Sequence, residues 1–327
     1  MQKRSASLAT QNAITRHRAP SVAALFAALA GAFAGQIASA QPAQPAAPAA
    51  PPREVTVTTT LLGGSVYGID GQGGRMAALV GPGGVFLVDA QFPAVTDKIV
   101  AAIKAVSPAS LRFLVNTHVH GDHTGGNENF AKLGVTILGR PALREQLLQP
   151  RPAPGNGQVP PVAPAAALPI VLFDAPTTLY LNGETVQLVP LPAAHTNGDT
   201  AVKFVQADVL MTGDVFRSQG FPAAAVANGG SFLGTLTAIN QMIAMTGPNT
   251  KVVPGHGPVT NTAALVAHRD LIVTVRDRIQ KAIREGKTLE QILELKLTAD
   301  FDERTGGPPA FIPQFVTGLY NELSAAR

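Results

Sequence analysis

Two packed β-sheets with helices on their outer faces are the architecture this sequence predicts, and three observations carry it. Short β-branched runs occur in two separate groups, each followed by stretches of helical spacing, so strands and helices interleave. The roughly 270 residues after Arg53 are enough for one large core. Cysteine is absent, so that core must hold the fold without a disulfide framework.

The first forty residues stand apart. Lys3, Arg4, Arg16 and Arg18 precede an apolar run from Val22 to Ala34, and Ala38-Ser39-Ala40 supplies the A-x-A pattern of a signal-peptidase site. The run is too short to span a bilayer as a mature helix. Residues 1–40 therefore read as the signal peptide of an exported protein, periplasmic or secreted in a bacterium. Residues 41–53, nearly all Pro and Ala, read as an extended linker, and 54–327 as the folded domain. The leader also carries the charge imbalance: 25 Lys and Arg face 21 Asp and Glu in the whole chain, but four of those bases and none of the acids fall in residues 1–40. The mature chain is near neutral. Nothing in that balance favours nucleic acid or a membrane surface as partner. A small-molecule substrate is expected, and oligomeric state is not legible.

The elements follow in order. Val55 to Val66 alternates β-branched and polar residues, and Ala77–Val80 and Val85–Val88 flank the turn at Gly81–Gly84, so the chain opens as an antiparallel meander. Phe92 to Ala105 repeats apolar residues at helical spacing behind Pro93. Leu111–Val115 and Val135–Leu138 are strands, and Pro141–Leu148 is a short helix. Gln149 to Pro169, rich in Pro, Ala and Gly, is a surface loop. A second strand set follows at Leu179–Leu181, Thr185–Leu191, Thr200–Val205 and Val209–Met211. Helices are expected at Leu233–Met245, Thr262–Glu285, Leu289–Leu295 and Ile312–Leu323, with a strand at Lys251–Val253.

Chemistry concentrates after the strand ending at Val115. The run HVHGDHTGGN puts His118, His120, Asp122 and His123 within six positions. At strand spacing His118 and His120 point the same way, and a turn after Gly121 brings Asp122 and His123 back toward them. Imidazole nitrogen and carboxylate oxygen are donors suited to a borderline-soft ion such as Zn²⁺. Three more candidates stand at strand ends beside small residues: His195 in LPAAHTNGD, Asp214 closing VLMTGD, and His256 in VVPGHGP. His268, in AALVAHRD, reads as part of a solvated helix face.

The run HVHGDH together with His195, Asp214 and His256 closely resembles the metallo-β-lactamase superfamily, over about Val55 to Thr260. The resemblance implies an α/β fold of four layers, an αβ/βα sandwich, with two Zn²⁺ at one edge between the sheets; iron fits the same donors. It implies that His118, His120 and His195 hold one ion, that Asp122, His123 and His256 hold the other, and that Asp214 bridges them. Asp89, closing VFLVD, matches the superfamily's first motif and would orient a ligand from behind. In the lactamases proper, the position of Asp214 looks like Cys or Ser, whereas glyoxalase II, lactonase and nuclease branches carry the bridging Asp. The chain thus sides with the general hydrolases.

Two zinc ions bring four positive charges; Asp122, Asp214 and a bridging hydroxide would leave about +1, enough to hold hydroxide as nucleophile near neutral pH. Asp122 is expected also to orient that nucleophile or take its proton. The expected reaction is hydrolysis of a small ester, lactone or amide, with β-lactam hydrolysis or a glyoxalase-II-like thioesterase as the alternative. An iron-dependent persulfide dioxygenase-like activity is the reading from another class. Phe216, Phe221 and Asn228 are candidate substrate contacts.

Overall fold

The computed structural model describes residues 54–150, 162–305 and 311–325. The leader and linker, and positions 151–161 of the proline-rich loop, lie outside them. Thirteen strands and nine helices run in the order β1 (Thr58–Gly63), β2 (Val66–Asp70), β3 (Met76–Leu79), β4 (Val85–Val88), α1 (Thr96–Val106), β5 (Leu111–Val115), α2 (Gly121–Thr124), α3 (Asn127–Lys132), β6 (Thr136–Gly139), α4 (Pro141–Leu147) and β7 (Val171–Leu172) among the described residues of the first half. The second half adds β8 (Thr177–Leu181), β9 (Glu184–Pro190), β10 (Thr200–Phe204), β11 (Val209–Met211), α5 (Phe232–Ala244), β12 (Lys251–Val253), β13 (Thr260–Asn261), α6 (Thr262–Arg284), α7 (Leu289–Glu294), α8 (Ala299–Thr305) and α9 (Phe311–Ala325).

The first sheet is ordered β1 to β7 as in the sequence, antiparallel from β1 to β4 and parallel from β4 to β7. The second runs β13-β12-β11-β10-β9-β8, with β11 and β12 its parallel pair. Period-two alternation sorts each strand's side chains between two cores. Phe86 and Val88 of β4 face the second sheet, where Val202 and Phe204 of β10 and Met211 of β11 meet them. The rings of Phe86 and Phe204 meet edge-on at 6.4 Å. Val85 and Leu87, the alternate residues, face outward onto Ile99 and Ile103 of α1 and Phe130 of α3. Leu210 and Val252 do the same on the second sheet, against α5, α6 and α9. Each fully buried residue of this kind contributes about 1.5–3 kcal/mol. The layers are therefore helix, sheet, sheet, helix, as expected.

Several boundaries differ. The strand expected over Val55–Val66 is β1 as far as Gly63, and Val66 opens β2 after a turn at Gly64 and Ser65. Gly64 has φ +51°, which glycine adopts without a Cβ penalty. β7 and β13, two residues each, and α8 had no periodicity to announce them. His268 is a correction: it is 7% exposed and meets the ring of Phe216 edge-on at 5.2 Å. It belongs to the apolar stripe Leu265, His268, Ile272, Val275, Ile279 of α6, whose spacing was present in the sequence. Burial lowers its pKa to about 4, so it packs as a neutral ring.

Candidate metal centre

The parallel strands β4 and β5 of one sheet and β11 and β12 of the other release their carboxyl ends at one edge of the sandwich, and the chemistry-bearing residues stand on the loops that leave them. β5 ends at Val115, as expected, and His118 and His120 lie on the connection to α2, with His120 extended at φ −65°, ψ 150° as its N-cap. The helical turn of α2 then returns Asp122 and His123. His195 comes from the β9–β10 loop, Asp214 from the 3-10 turn Gly213–Val215 after β11, and His256 from the loop after β12.

Five of the chain's seven histidines and two carboxylates converge there, in three overlapping groups: His118, His120, His195; His118, His123, Asp214; and Asp122, His123, His256. In the first, His120 Nδ1 is 3.2 Å from His118 Nε2 and 2.9 Å from His195 Nε2. Donors placed tetrahedrally around zinc at its usual ~2.0–2.1 Å are about 3.3 Å apart, so the spacing fits a shared ion.

The protons fit as well. His195 Nδ1 donates to the carbonyl of Ala223 at 2.7 Å. Thr117 Oγ1 donates to Asp89 Oδ2 at 2.8 Å, so it accepts from His118 Nδ1 at 3.1 Å. His120 Nε2 faces Asn228 Oδ1 at 3.2 Å. Each ring thus spends its N–H on the surrounding protein and turns a lone pair inward. Three converging lone pairs cannot bond to one another; a cation satisfies them. Burial lowers the pKa of His118 well below the ordinary value and that of His120 to about 4, which keeps both in the neutral, metal-binding form.

The other side of the centre is carboxylate-rich. Asp122 Oδ2 lies 3.0 Å from His256 Nε2 and 3.6 Å from His123 Nε2. Asp214 reaches both sides, with Oδ2 3.3 Å from His256 Nε2 and 3.8 Å from His195 Nε2, and Oδ1 3.3 Å from His123 Nε2. Among the described residues His123 Nε2 and Asp214 Oδ1 are buried without a hydrogen bond. Burial opposes charge on Asp214, but His123 outweighs it and holds the carboxyl well below its usual range. Hydrogen bonds to Asp122 and Asp214 raise His256 to about 9. Positive charge is drawn to this side, which suits a cation.

Behind His123 stands Asp89. Its Oδ2 accepts from His123 Nδ1 at 2.8 Å, and its Oδ1 accepts from the backbone N–H of Thr117 at 2.7 Å. Asp89 is buried and has φ +67°, a left-handed conformation that is uncommon for non-glycine residues but one that aspartate tolerates better than most. Glycines make the room. A Cβ on Gly74, in the β2–β3 turn, would strike Cε1 and Nε2 of the His123 ring, and one on Gly255 would strike Asp214 Oδ1. Arg75 joins the same turn to the His256 loop: its backbone N–H donates to Gly255 O at 2.7 Å and its Nη1 to Gly257 O at 2.7 Å.

All seven expected ligands and Asp89 are brought together. Two of the expected substrate contacts, Phe216 and Phe221, are contradicted. Phe216 and Phe221 are 1% and 2% exposed in the core beneath α5, α6 and α9, where Phe221 packs on Phe315 at 5.9 Å, so neither walls a substrate site. Asn228 is half-buried, and both ends of its amide are engaged, with Oδ1 toward His120 and Nδ2 donating to Gln146 Oε1 at 3.0 Å. Sequence reading missed Gly74, Thr117 and Gln146. The GQGG run around Gly74 was a signal of close approach as much as of a turn.

A helix-flanked double sheet with histidines and aspartates gathered at the strands' carboxyl edge defines a metal-binding protein of the metallo-hydrolase kind. Residues 70–256 match the model of the metallo-beta-lactamase superfamily, and the chain belongs to that family, whose members are mostly hydrolases. Among solved structures it is similar to a metallo-beta-lactamase from Pontibacter korlensis, with a TM-score of 0.56, 20% identity, and 67% of this chain and 99% of that one covered. It is also similar to the DIM-1 metallo-beta-lactamase, with a TM-score of 0.55, 16% identity, and 68% and 99% covered. A curated relative, the atrochrysone carboxyl ACP thioesterase of Aspergillus fumigatus, is 24% identical over 222 residues. That match takes in 68% of this chain and 44% of the relative, so the chain spans less than half the relative's length.

Proposed function

We propose that the chain is a dinuclear zinc hydrolase that cleaves a small ester, lactone or amide. In this reading His118, His120 and His195 hold one ion, Asp122, His123 and His256 hold the other, and Asp214 reaches both. The observation that carries it is the convergence of three imidazole lone pairs beside a carboxylate-rich group, with Asp214 between them. Nitrogen and oxygen donors without sulfur suit zinc, and iron fits the same set.

Zinc bound there supplies a water that ionises near neutral pH and a Lewis acid for the scissile carbonyl. The chain's residues do the rest. Burial opposes charge on Asp122, but the His256 hydrogen bond and the neighbouring His123 outweigh it and keep the carboxyl ionised. Asp122 is also the more open of the two carboxylates, at 23% exposure against 6% for Asp214. It is the group fit to orient an attacking water and accept its proton, while the buried Asp214 fixes spacing. Asp89 holds the His123 ring so that Nε2 faces inward.

The similarity to a thioesterase favours a second reading, in which the acyl group cleaved is a thioester. The same residues would serve, since the attack is on an acyl carbon in either case.

Metal content per chain by inductively coupled plasma mass spectrometry, followed by a panel of lactones, esters, thioesters and β-lactams, tests both. About two zincs with turnover of one class supports the proposal. One iron and no hydrolysis overturns it. Asp122→Ala is expected to abolish turnover while the protein stays folded, and turnover that survives the change excludes the role given to Asp122.

A further inference from the structure

A chain of side-chain amides reaches His120 from outside the metal centre. It starts at Gln146, on α4, a half-buried residue between the buried anchors Leu143 and Leu147. One end of its side-chain amide lies 2.9 Å from the backbone carbonyl of Asn228. A backbone carbonyl only accepts, so the atom facing it is the amide nitrogen Nε2. That nitrogen meets a second acceptor, Asn197 Oδ1. The other end, Oε1, must then accept, and Asn228 Nδ2 donates to it at 3.0 Å. With Nδ2 so committed, Asn228 can turn only its Oδ1 toward His120 Nε2, at 3.2 Å. An oxygen there requires the ring proton on Nε2. His120 Nδ1 keeps its lone pair and faces His118 and His195.

The backbone holds this chain in register with the ligands. Asn228 N donates to Ala225 O at 2.7 Å, Ala225 N donates to His195 O at 2.8 Å, and Asn197 N donates to Asn228 O at 3.0 Å. The 3-10 turn that carries Asn228 is thereby tied to the residue beside which His120 must deliver its lone pair.

We infer that Gln146, acting through Asn228, is a positioning residue that presets His120 in the tautomer with its proton on Nε2, so that Nδ1 is ready for a metal ion. The part of this inference that concerns metal affinity rests on the proposed zinc reading; the part that concerns the tautomer does not. Without the chain, His120 would divide between two tautomers, and only one presents a lone pair to the ion.

The test uses the full chain labelled with ¹⁵N-histidine, both zinc-loaded and stripped by chelator, with Gln146→Leu and Gln146→Met as variants. Both replacements nearly match glutamine in size and neither hydrogen-bonds, so failure of one to fold leaves the other. Long-range ¹H–¹⁵N spectra read the tautomer, and competition with a chromophoric chelator reads zinc affinity. The wild type is expected to carry the His120 proton on Nε2 even when stripped. The variants are expected to show a mixture of tautomers when stripped, and to bind zinc at the trihistidine group about 10- to 100-fold more weakly. Asn228→Asp, whose carboxylate can only accept, should keep the proton on Nε2. A pure Nε2–H tautomer in stripped Gln146→Leu and Gln146→Met, with zinc affinity within twofold of the wild type, overturns the inference. A wild type that binds no zinc sinks the zinc reading instead, and the stripped spectra still decide the role of Gln146.

Discussion

Replacing Asp89 by Asn tests how the centre is held together, because it removes one acceptor while leaving shape and backbone alone. Asn tolerates the left-handed region better than other non-glycine residues, so φ +67° is kept. The carboxylate accepts three bonds: from Thr117 N at 2.7 Å, Thr117 Oγ1 at 2.8 Å and His123 Nδ1 at 2.8 Å. A carboxamide cannot accept at both ends. If its oxygen takes the place of Oδ1, its NH₂ faces His123 Nδ1, and the imidazole must move its proton to Nε2, where the ion would bind. If its oxygen takes the place of Oδ2, its NH₂ faces the Thr117 N–H, and two buried donors confront each other. Either arrangement leaves a buried donor unmet, at about 1–3 kcal/mol. Loss of a ligand's supporting partner lowers metal affinity about 10- to 100-fold, equivalent to roughly 1.4–2.8 kcal/mol. On the proposed dinuclear zinc reading, chelator competition on Asp89→Asn is therefore expected to show one of two zinc ions weakened by that factor, and urea unfolding to show a loss of about 1–3 kcal/mol. Wild-type affinity for both ions, with unchanged stability, would refute the orienting role of Asp89.

Further outcomes follow from the same contacts. Gly74→Ala drives a Cβ into the His123 ring, so about 1–3 kcal/mol of stability should be lost in thermal or urea unfolding, together with one ion by mass spectrometry. His268, held near pKa 4 against an unfolded value near 6.5, is neutral in the fold. A depressed histidine contributes stability that is present above about pH 6.5 and is lost as pH falls toward 4, because only the unfolded chain then takes up the proton. The difference in unfolding free energy between His268→Leu and wild type should accordingly shift in the variant's favour by about 2 kcal/mol between pH 7 and pH 5; a pH-independent difference contradicts the assignment. On α9, Glu322 accepts from Phe232 N at 2.7 Å and Leu233 N at 2.9 Å at the start of α5, so Glu322→Ala should lower stability by about 1 kcal/mol in urea unfolding.

The parts of the molecule that were legible in the sequence are those whose cause is local. β5 was placed residue for residue, and α1, α5 and α6 to within a few residues, because each carries its apolar period within its own length. The cluster of histidines and aspartates was legible because four of its members fall within six positions and the other three stand shortly after strands. What was not legible depends on a partner distant in the chain. β7 is a strand only because β6 pairs with it, and β13 only because β12 does. Gln146 meets Asn228 across 82 positions, and neither residue type signals the other. Phe216 and Phe221 follow a ligand closely enough to suggest a substrate wall, but nearness in sequence to Asp214 did not say which side of the backbone each would take. His268 was misread for another reason. Its polarity outweighed the helical stripe in which it stood, and the stripe was the better guide.

On the proposed two-ion reading, the division of the ligands between the halves of the chain sets an order of events in the protein's synthesis. Each ligand group takes members from both halves: His118 and His120 with His195, and Asp122 and His123 with His256. An N-terminal half emerging first presents only an incomplete set, with two imidazoles for one ion and one carboxylate and one imidazole for the other. Neither holds a metal tightly until the second sheet has docked. The choice of ion is thus postponed until the fold is nearly complete, and is governed by whatever metal pool surrounds the finished protein rather than the nascent one. Once bound, an ion joins segments about 75 or more positions apart, so the complete site also closes the folded state behind it.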